Sequence, residues 1–176
     1  MRSGGLLSDS AAELLRALQK EAGRIEEDCL YSSRGHFAAG ARWSRVHFWL
    51  GLPAAVGAAL AGASAFSEET ALAVILSGLV TALTATLTFL NPSDKSSVHH
   101  TAGTRFSALR GHARRFREIE TLDPRSLDSL RAEVADLAKS RDDLNAGSPQ
   151  IPRWAFEAGR RSLKAGEADY EVDREP

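Results

Sequence analysis

The chain has 176 residues, of which 43% are hydrophobic and 26% charged, and its formal net charge is −1. This length suits one domain, and a charge this close to neutral indicates no class of partner by itself. Its single cysteine, Cys29, excludes an intrachain disulfide. One cysteine with scattered histidines also provides no tetrahedral metal site, so neither a metal nor a cofactor is predicted.

The N-terminal region, residues 1–45, is predicted to be a cytoplasmic amphipathic helix. Residues 1–10 contain no apolar run, which argues against a signal peptide. Three N-cap candidates precede Ala11, namely Ser8, Asp9 and Ser10. Apolar residues then recur at helical spacing: Leu14, Leu18, Ala22, Ile25 and Cys29. The pattern leaves open whether Gly35 and Gly40 interrupt this helix or whether it runs straight on.

Two uncharged stretches follow, residues 46–66 and 71–90. Each is about as long as the ~20 residues that a helix needs to cross a bilayer. The region 46–90 is therefore predicted to be a transmembrane hairpin, with a buried hairpin in a soluble protein as the alternative. Arginine and lysine lie outside both stretches, whereas the link between them carries only Glu68 and Glu69. The positive-inside rule then places both termini in the cytoplasm.

The first predicted span is rich in small residues. One row has heptad spacing and comprises Gly51, Ala55, Ala58, Gly62 and Ala65. A second small pair is Gly57 and Ala61. Because small residues allow helix backbones to approach closely in lipid, we expect the heptad row to pack against the second span or another subunit.

The second predicted span carries a row of hydroxyl groups on one helical face. The row comprises Ser77, Thr81, Thr84 and Thr88, and Asn91 and Lys95 continue it past the end of the apolar stretch. One interpretation is a pore-lining face; the other is helix packing, or hydrogen bonding to carbonyls one turn earlier. Thr86 lies off the row and is predicted to bond back in this way. A pore would need several chains, about four or more, because one hairpin cannot enclose a channel.

Residues 91–176 are predicted to form cytoplasmic helices. Asn91-Pro92 is a predicted break and a candidate hinge, and Asp123-Pro124 is predicted to cap a later helix. Two apolar rows lie between these points and beyond: Ala102, Phe106, Leu109, Ala113, Phe116 and Ile119, and then Leu127, Leu130, Val134, Leu137 and Leu144. Gly147 is predicted to end the second of these helices, and a last helix is predicted over 154–165. Narrow rows of this kind favour packing of helix on helix, so the predicted fold is all-α with a helical bundle.

The remaining polar groups indicate no catalytic site. His99, His100 and His112 are interpreted as packing or interfacial residues, because no acid or nucleophile is paired with them in the sequence. An enzyme is therefore not expected. A basic cluster is a candidate contact for anionic lipid or for an anionic ligand such as a nucleotide: Arg110, Arg114, Arg115 and Arg117. Nothing in the sequence indicates recognition of a nucleic-acid sequence.

Several motifs occur in a fixed order: a lead-in helix, two adjacent spans, Phe89-Leu90-Asn91-Pro92-Ser93-Asp94-Lys95, His99-His100, Ala102-Gly103, Phe106-x-x-Leu109-Arg110 and Pro149-x-x-Pro152. In this order the chain resembles the SLATT domain, a two-transmembrane effector domain of bacterial conflict systems. The resemblance covers about residues 11–165, nearly the whole chain.

The resemblance implies a function that the residues alone do not show. SLATT proteins are regarded as pore-forming or membrane-perturbing effectors of antiphage defence, which act beside a nucleotide second-messenger synthase, a nucleotide sensor or a reverse transcriptase. For this chain it implies an oligomer in the bacterial plasma membrane whose opening depolarises the membrane and arrests growth or kills the cell. The chain has no appended sensor domain, so the trigger is expected to bind the helices or to arrive through a partner. The alternative is a non-conducting membrane scaffold whose helices recruit a cytosolic enzyme.

Overall fold

The computed structural model describes residues 3–66, 70–122 and 125–168, and the side chains of 10–64, 71–122 and 125–168. These residues are helical, with no strand among them, which confirms the all-α class. The helices are α1 (Ser3–Phe66), α2 (Thr70–Leu90), α3 (Pro92–Glu118), α4 (Leu127–Gly147) and α5 (Arg153–Lys164), with a 3₁₀ turn at Glu120–Leu122. The chain divides into two compact units, residues 39–98 and the remainder.

Helix α1 is continuous over 64 residues. Gly35 and Gly40 do not interrupt it, so the uninterrupted alternative is the one observed. The predicted start at Ala11 is wrong, since the helix begins at Ser3 and the three N-cap candidates lie inside it. A capping side chain stabilises a helix start by about 1 kcal/mol, but it does not prevent the helix from extending upstream, where each added residue forms another hydrogen bond.

The core of the larger unit is made by α1, α3 and α4. The predicted apolar rows supply it, which confirms them as the buried faces. One cluster contains Leu18, Ala22, Phe116, Leu130 and Val134, and the other contains Ile25, Cys29, Phe106, Leu109 and Ala113. Leu137 packs against both clusters. Ile119 is an exception, because α3 ends at Glu118 and the Ile119 side chain is 61% exposed.

Helix α4 begins later than predicted. Ser126 caps it, with its hydroxyl oxygen accepting a hydrogen bond from the backbone N–H of Ser129 at 3.2 Å. The predicted cap at Asp123 is therefore wrong, although Asp123 and Pro124 themselves lie outside the described residues. Gly147 is the last residue of α4, as predicted.

Helix α5 crosses α1 in very close contact. A Cβ atom added to Gly159 would lie 2.9 Å from the backbone nitrogen of Gly35. Only hydrogen fits at such a crossing, so Gly159 is required by close approach rather than by turn geometry. The rings of Tyr31 and Phe156 extend the contact, with centroids 6.2 Å apart.

In the smaller unit, α1 and α2 contact each other through one row from each helix. Within residues 51–64 of α1 the least exposed positions are Gly51, Ala54, Gly57, Ala61 and Ser64; those of α2 are Ala73, Leu76, Val80, Leu83, Leu87 and Leu90. A Cβ on Gly57 would lie 2.9 Å from Cγ2 of Val80, and one on Gly51 would lie 4.0 Å from Cδ1 of Leu87. The helices therefore meet through small residues on α1 and branched residues on α2.

The predicted heptad row does not form this contact. Ala55, Ala58 and Gly62 are exposed, and a Cβ on Gly62 would meet nothing within 4 Å. Gly51 does belong to the contact, and the side chain of Ala65 lies outside the described residues. Neighbouring residues on a helix are about 100° apart, so the contact row and the predicted row point in different directions. Packing of the exposed row against another subunit stays a prediction.

The smaller unit exposes its large apolar side chains and buries small ones. Phe89 is 89% exposed and Ile75 is 69% exposed, whereas the buried positions between the helices are Ala54, Gly57 and Ser64. Two helices are long and apolar enough to cross a membrane, and none of the apolar window of α2 is buried. Within the described residues of this chain the hairpin is not buried, which favours the transmembrane interpretation.

Candidate functional site

The hydroxyl row of α2 lies on an exposed face, away from α1. Thr81, Thr84 and Thr88 line a shallow groove of about 590 Å³ together with Val80, Ala85 and Phe89. Ser77 is also exposed but lies outside the lining of this groove. Val80 also belongs, with Leu83 and Leu87, to the row that contacts α1, so the groove borders that contact while its threonines lie outside it. The hydroxyl groups therefore do not hold the two apolar helices of this chain together.

Several of these hydroxyl groups bond back to their own helix. Thr81 Oγ1 donates to the carbonyl of Ser77 at 2.7 Å, and Thr88 Oγ1 donates to that of Thr84 at 2.9 Å. Thr86 donates to the carbonyl of Ala82 at 2.8 Å, which confirms the prediction for this residue. A hydroxyl that donates in this way keeps oxygen lone pairs for water. These three hydroxyl groups thus have acceptors for their protons even in an apolar environment, and their oxygens can still accept hydrogen bonds.

The predicted break between α2 and α3 consists of one residue. Asn91 has φ 42°, and it is the one residue other than glycine with positive φ among those described. Its N–H donates to Leu87 O at 2.9 Å, and its carbonyl accepts from the N–H of Lys95 at 3.2 Å. Asparagine tolerates this left-handed conformation well, and Pro92 suits a first helical position. Asn91 thus ends one helix and starts the next, while its role as a hinge stays a prediction.

The start of α3 is fastened to α1. The ammonium group of Lys95 lies over the Trp43 ring, 4.6 Å from its centroid, a cation–π contact. Ser96 Oγ donates to the carbonyl of Gly40 at 3.0 Å and lies 2.7 Å from Ser44 Oγ. Lys95 was predicted to continue the hydroxyl row into a pore mouth. In the single chain it lies against Trp43 and does not line the groove.

Two of the four predicted arginines share an acidic partner within the chain. Arg117 pairs with Glu26 at 3.1 Å, and Arg110 lies 3.9 Å from the other oxygen of the same carboxylate. Arg114 is half-buried, and Arg115 is exposed. Arg110 and Arg117 therefore pair with a carboxylate of the same chain, which lowers the positive charge that they present to a lipid or a nucleotide.

A buried pair of histidines joins α1 to α3. His36 Nδ1 lies 3.0 Å from His99 Nδ1, and the two side chains are 2% and 6% exposed. The Phe106 ring stacks on His36, with centroids 5.5 Å apart and planes 16° apart. The prediction that His99 packs between helices is confirmed, but its partner His36 was not predicted. The spacing contained a signal. His36 lies seven residues, or about two helical turns, after Cys29 in the row of Ile25 and Cys29, and His99 precedes Ala102 by three residues.

Both rings of this pair are neutral at neutral pH. Burial lowers the pKa of His36 from 6.5 to about 4, and the field of His99 adds to the effect. Burial also lowers the pKa of His99, with His100 contributing in the same direction. One Nδ1 must then donate a hydrogen bond to the lone pair of the other. His36 and Phe106 also line a cavity of about 330 Å³ with Ser32, Asn145, Gln150 and Ile151.

A second cavity, of about 370 Å³, lies between α3 and α4 and is lined by His112, Glu133 and Asp136, among others. Arg125 binds Glu133 at 2.8 Å and Glu120 at 3.3 Å, so the negative charge of Glu133 in this cavity is partly neutralised. Within the described ranges, no three histidine, cysteine or acidic residues are arranged to hold a metal ion.

Comparison with known proteins adds no relative to this description. The sequence matches no family model, and neither a curated protein nor a solved structure is similar to it. The resemblance to SLATT domains, which rests on the motifs quoted above, therefore stays a prediction.

Proposed function

We propose that this protein is a membrane-spanning effector that assembles into an ion-conducting oligomer. The observation that carries the proposal is the distribution of side chains in the smaller unit. Large apolar residues cover its outside, small residues fill the contact between its helices, and one exposed face of α2 carries the hydroxyl groups. In this proposal residues 46–66 and 71–90 cross the membrane as a hairpin, with both termini in the cytoplasm.

The hydroxyl face supports conduction because it is available to other copies. Thr81, Thr84 and Thr88 are exposed in the single chain and lie outside the row of α2 that contacts α1. A ring of about four or more copies would bring these faces around a common axis, where hydroxyl oxygens replace part of the hydration of an ion. The exposed row of Ala55, Ala58 and Gly62 would then be available for close contact between subunits.

The cytoplasmic helices would carry the signal that opens the assembly. A bacterial antiphage role, a nucleotide second messenger or its synthase as trigger, and depolarisation as outcome follow from the resemblance to SLATT domains. Asn91 lies where such a signal would pass from α3 to α2, because it is the one non-helical residue between them. Its left-handed backbone supports a role as hinge.

The test compares a substitution in the groove with one off it. Thr84→Leu adds apolar bulk to the groove, whereas Thr86→Leu adds the same bulk at an exposed position outside its lining. Purified variants would be recorded in planar bilayers, with candidate nucleotides added. We expect Thr84→Leu to lower conductance by about tenfold or more, because an apolar constriction expels water, and Thr86→Leu to conduct like the parent. Equal conductance of the two variants would show that the groove does not line a pore.

The alternative is a membrane-anchored scaffold without conduction. It is favoured by one observation, two large apolar residues exposed near each other at the end of α3, Ile119 and Leu122. Such a pair can anchor a partner protein. A parent protein that never conducts, with or without nucleotides, would favour the scaffold over the pore.

A further inference from the structure

The contact between His36 and His99 depends on the number of protons that the two rings hold. With both rings neutral, one Nδ1–H donates to the other Nδ1 across 3.0 Å. A first added proton can leave this bond in place, but it creates a buried cation. A second removes the remaining Nδ1 lone pair, so that two N–H groups face each other. Each step opposes the contact more strongly than the one before.

None of the described residues that contact the pair or line its cavity provides a compensating negative charge. From α3 come the Phe106 ring and the field of His100. From the end of α4 and the segment after it come Asn145, Gln150 and Ile151, which line the adjoining cavity. Among these neighbours His100 is the one titratable group, and it repels a proton on His99.

On α1 itself, the neighbours of His36 add no negative charge. Ser32 lines the cavity beside it. Arg34, two residues earlier, donates a hydrogen bond to the backbone oxygen of Glu167 at 2.9 Å. A charged ring in this site would therefore lack an acidic partner among the groups that surround it.

We propose that His36 and His99 form a proton-sensitive clasp, which joins α1 to α3 while both rings are neutral and releases them when the pair is protonated. The cavity beside His36 provides a path for water and protons to the ring. The clasp would make the larger unit sensitive to acidification. This property does not depend on whether the assembled protein conducts ions, so the two proposals can fail separately.

The direction of the pH dependence follows from the pKa shifts. Both histidines have a lower pKa in the closed clasp than the ordinary 6.5, about 4 for His36. Each therefore takes up a proton on opening. The clasp is at full strength above about pH 6.5 and weakens as the pH falls from there toward about 4. The opening equilibrium should rise about tenfold per pH unit in that window for each proton taken up.

The test is hydrogen exchange on the full chain in lipid nanodiscs, between about pH 7.5 and about pH 5. Protection factors of amides around His99 should fall as the pH is lowered below 6.5, by about tenfold per unit for each proton taken up. Amides around Leu130 and Val134, in the other core cluster, provide the internal control and should change much less. Equal loss of protection in both places, or none near His99, would overturn the proposal.

Variants then assign the effect to the pair. In His36→Asn/His99→Asn each amide stands close to the position of the Nδ1 atom and does not titrate in this range, so protection near residue 99 should no longer depend on pH. His112→Asn, a histidine outside the pair, should keep the parent's dependence. If the double variant does not fold, ¹⁵N-histidine NMR of the parent replaces it. There, rings 36 and 99 should be neutral at about pH 6, below the ordinary histidine pKa. A charged ring at that pH would contradict the clasp. A shift of both signals on adding Zn²⁺ at neutral pH would also contradict it, because the pair would then bind a metal ion.

Discussion

The two units of this protein bury opposite kinds of side chain. The larger unit places Phe106, Phe116 and Ile25 inside and its charged residues outside, as a domain in water does. The smaller unit places alanine, glycine and serine of α1 against branched residues of α2 and exposes residues such as Phe89 and Ile75. The difference is the one expected if the smaller unit lies in lipid and the larger one in water. A helix pair in lipid gains little by hiding apolar side chains, so close backbone contact decides which face is buried.

The largest difference between the two units is expected when one phenylalanine in each is truncated. Phe106→Ala should lower the free energy of unfolding by about 3–5 kcal/mol, because it leaves a cavity in the core. Phe89→Ala should change it little, because the ring is exposed and contacts lipid or detergent in both states. Guanidinium denaturation in micelles, followed by Trp154 fluorescence with Trp43 and Trp49 replaced by phenylalanine, measures the first change. An equally large loss for Phe89→Ala in a micelle assay of the whole chain would mean that its ring is buried against protein.

A smaller effect is expected from enlarging glycines in the smaller unit. Gly57→Val should destabilise the α1–α2 contact by about 1–3 kcal/mol, because its Cβ would lie 2.9 Å from Val80 Cγ2. Gly62→Val is the matched control, since a Cβ there meets nothing within 4 Å. Titration with SDS in mixed micelles, followed by circular dichroism, compares the two. If Gly62→Val weakened the helix pair and Gly57→Val did not, the assignment of Gly57 to the α1–α2 contact would be wrong.

Gly62→Val also reports on assembly. If the exposed small row forms contacts between subunits, this variant should cross-link less as an oligomer in nanodiscs while its helix pair remains intact. An unchanged oligomer would leave that row facing lipid.

The smallest expected effect concerns the charges of the larger unit. Glu26→Gln should cost about 1 kcal/mol or less, because Arg110 and Arg117 are only partly buried around this carboxylate. The difference from the parent should shrink in high salt, which screens partly exposed pairs. Guanidinium is itself a salt, so urea denaturation at low and high NaCl is the appropriate measurement. A loss of several kcal/mol would show a fully desolvated ion pair instead.

Helical spacing was sufficient to predict the buried rows of the larger unit. Ile25 and Cys29 are four residues apart, and the row from Phe106 to Phe116 advances in steps of three, four and three, so each row has one apolar side to bury. The same spacing in the first apolar stretch did not decide which row is buried, because almost every residue there is apolar or small. The row with heptad spacing, which includes Ala58 and Gly62, does not face α2, and its packing against another subunit stays a prediction.

Local chemistry predicted positions along the chain better than ends of helices. The break at Asn91-Pro92 was found because proline cannot continue a helix without losing a hydrogen bond. The start of α4 at Leu127 was missed, since Asp123 and Ser126 are both good caps and sequence does not rank them. The pairing of His36 with His99 was also missed, as it joins residues 63 positions apart.

The sequence by itself determined the helical class, the two apolar stretches and the buried faces of the charged helices. These follow from composition and from a period of 3.6 residues, which are local properties of the chain. Only the tertiary structure decided that Gly57 rather than Gly62 meets α2, that the threonine face stays exposed, and that two imidazoles meet between α1 and α3. Each of these depends on how closely two backbones approach and on a rotation of about 100°, or one residue, around a helix axis. An apolar pattern without polar interruptions does not specify that rotation.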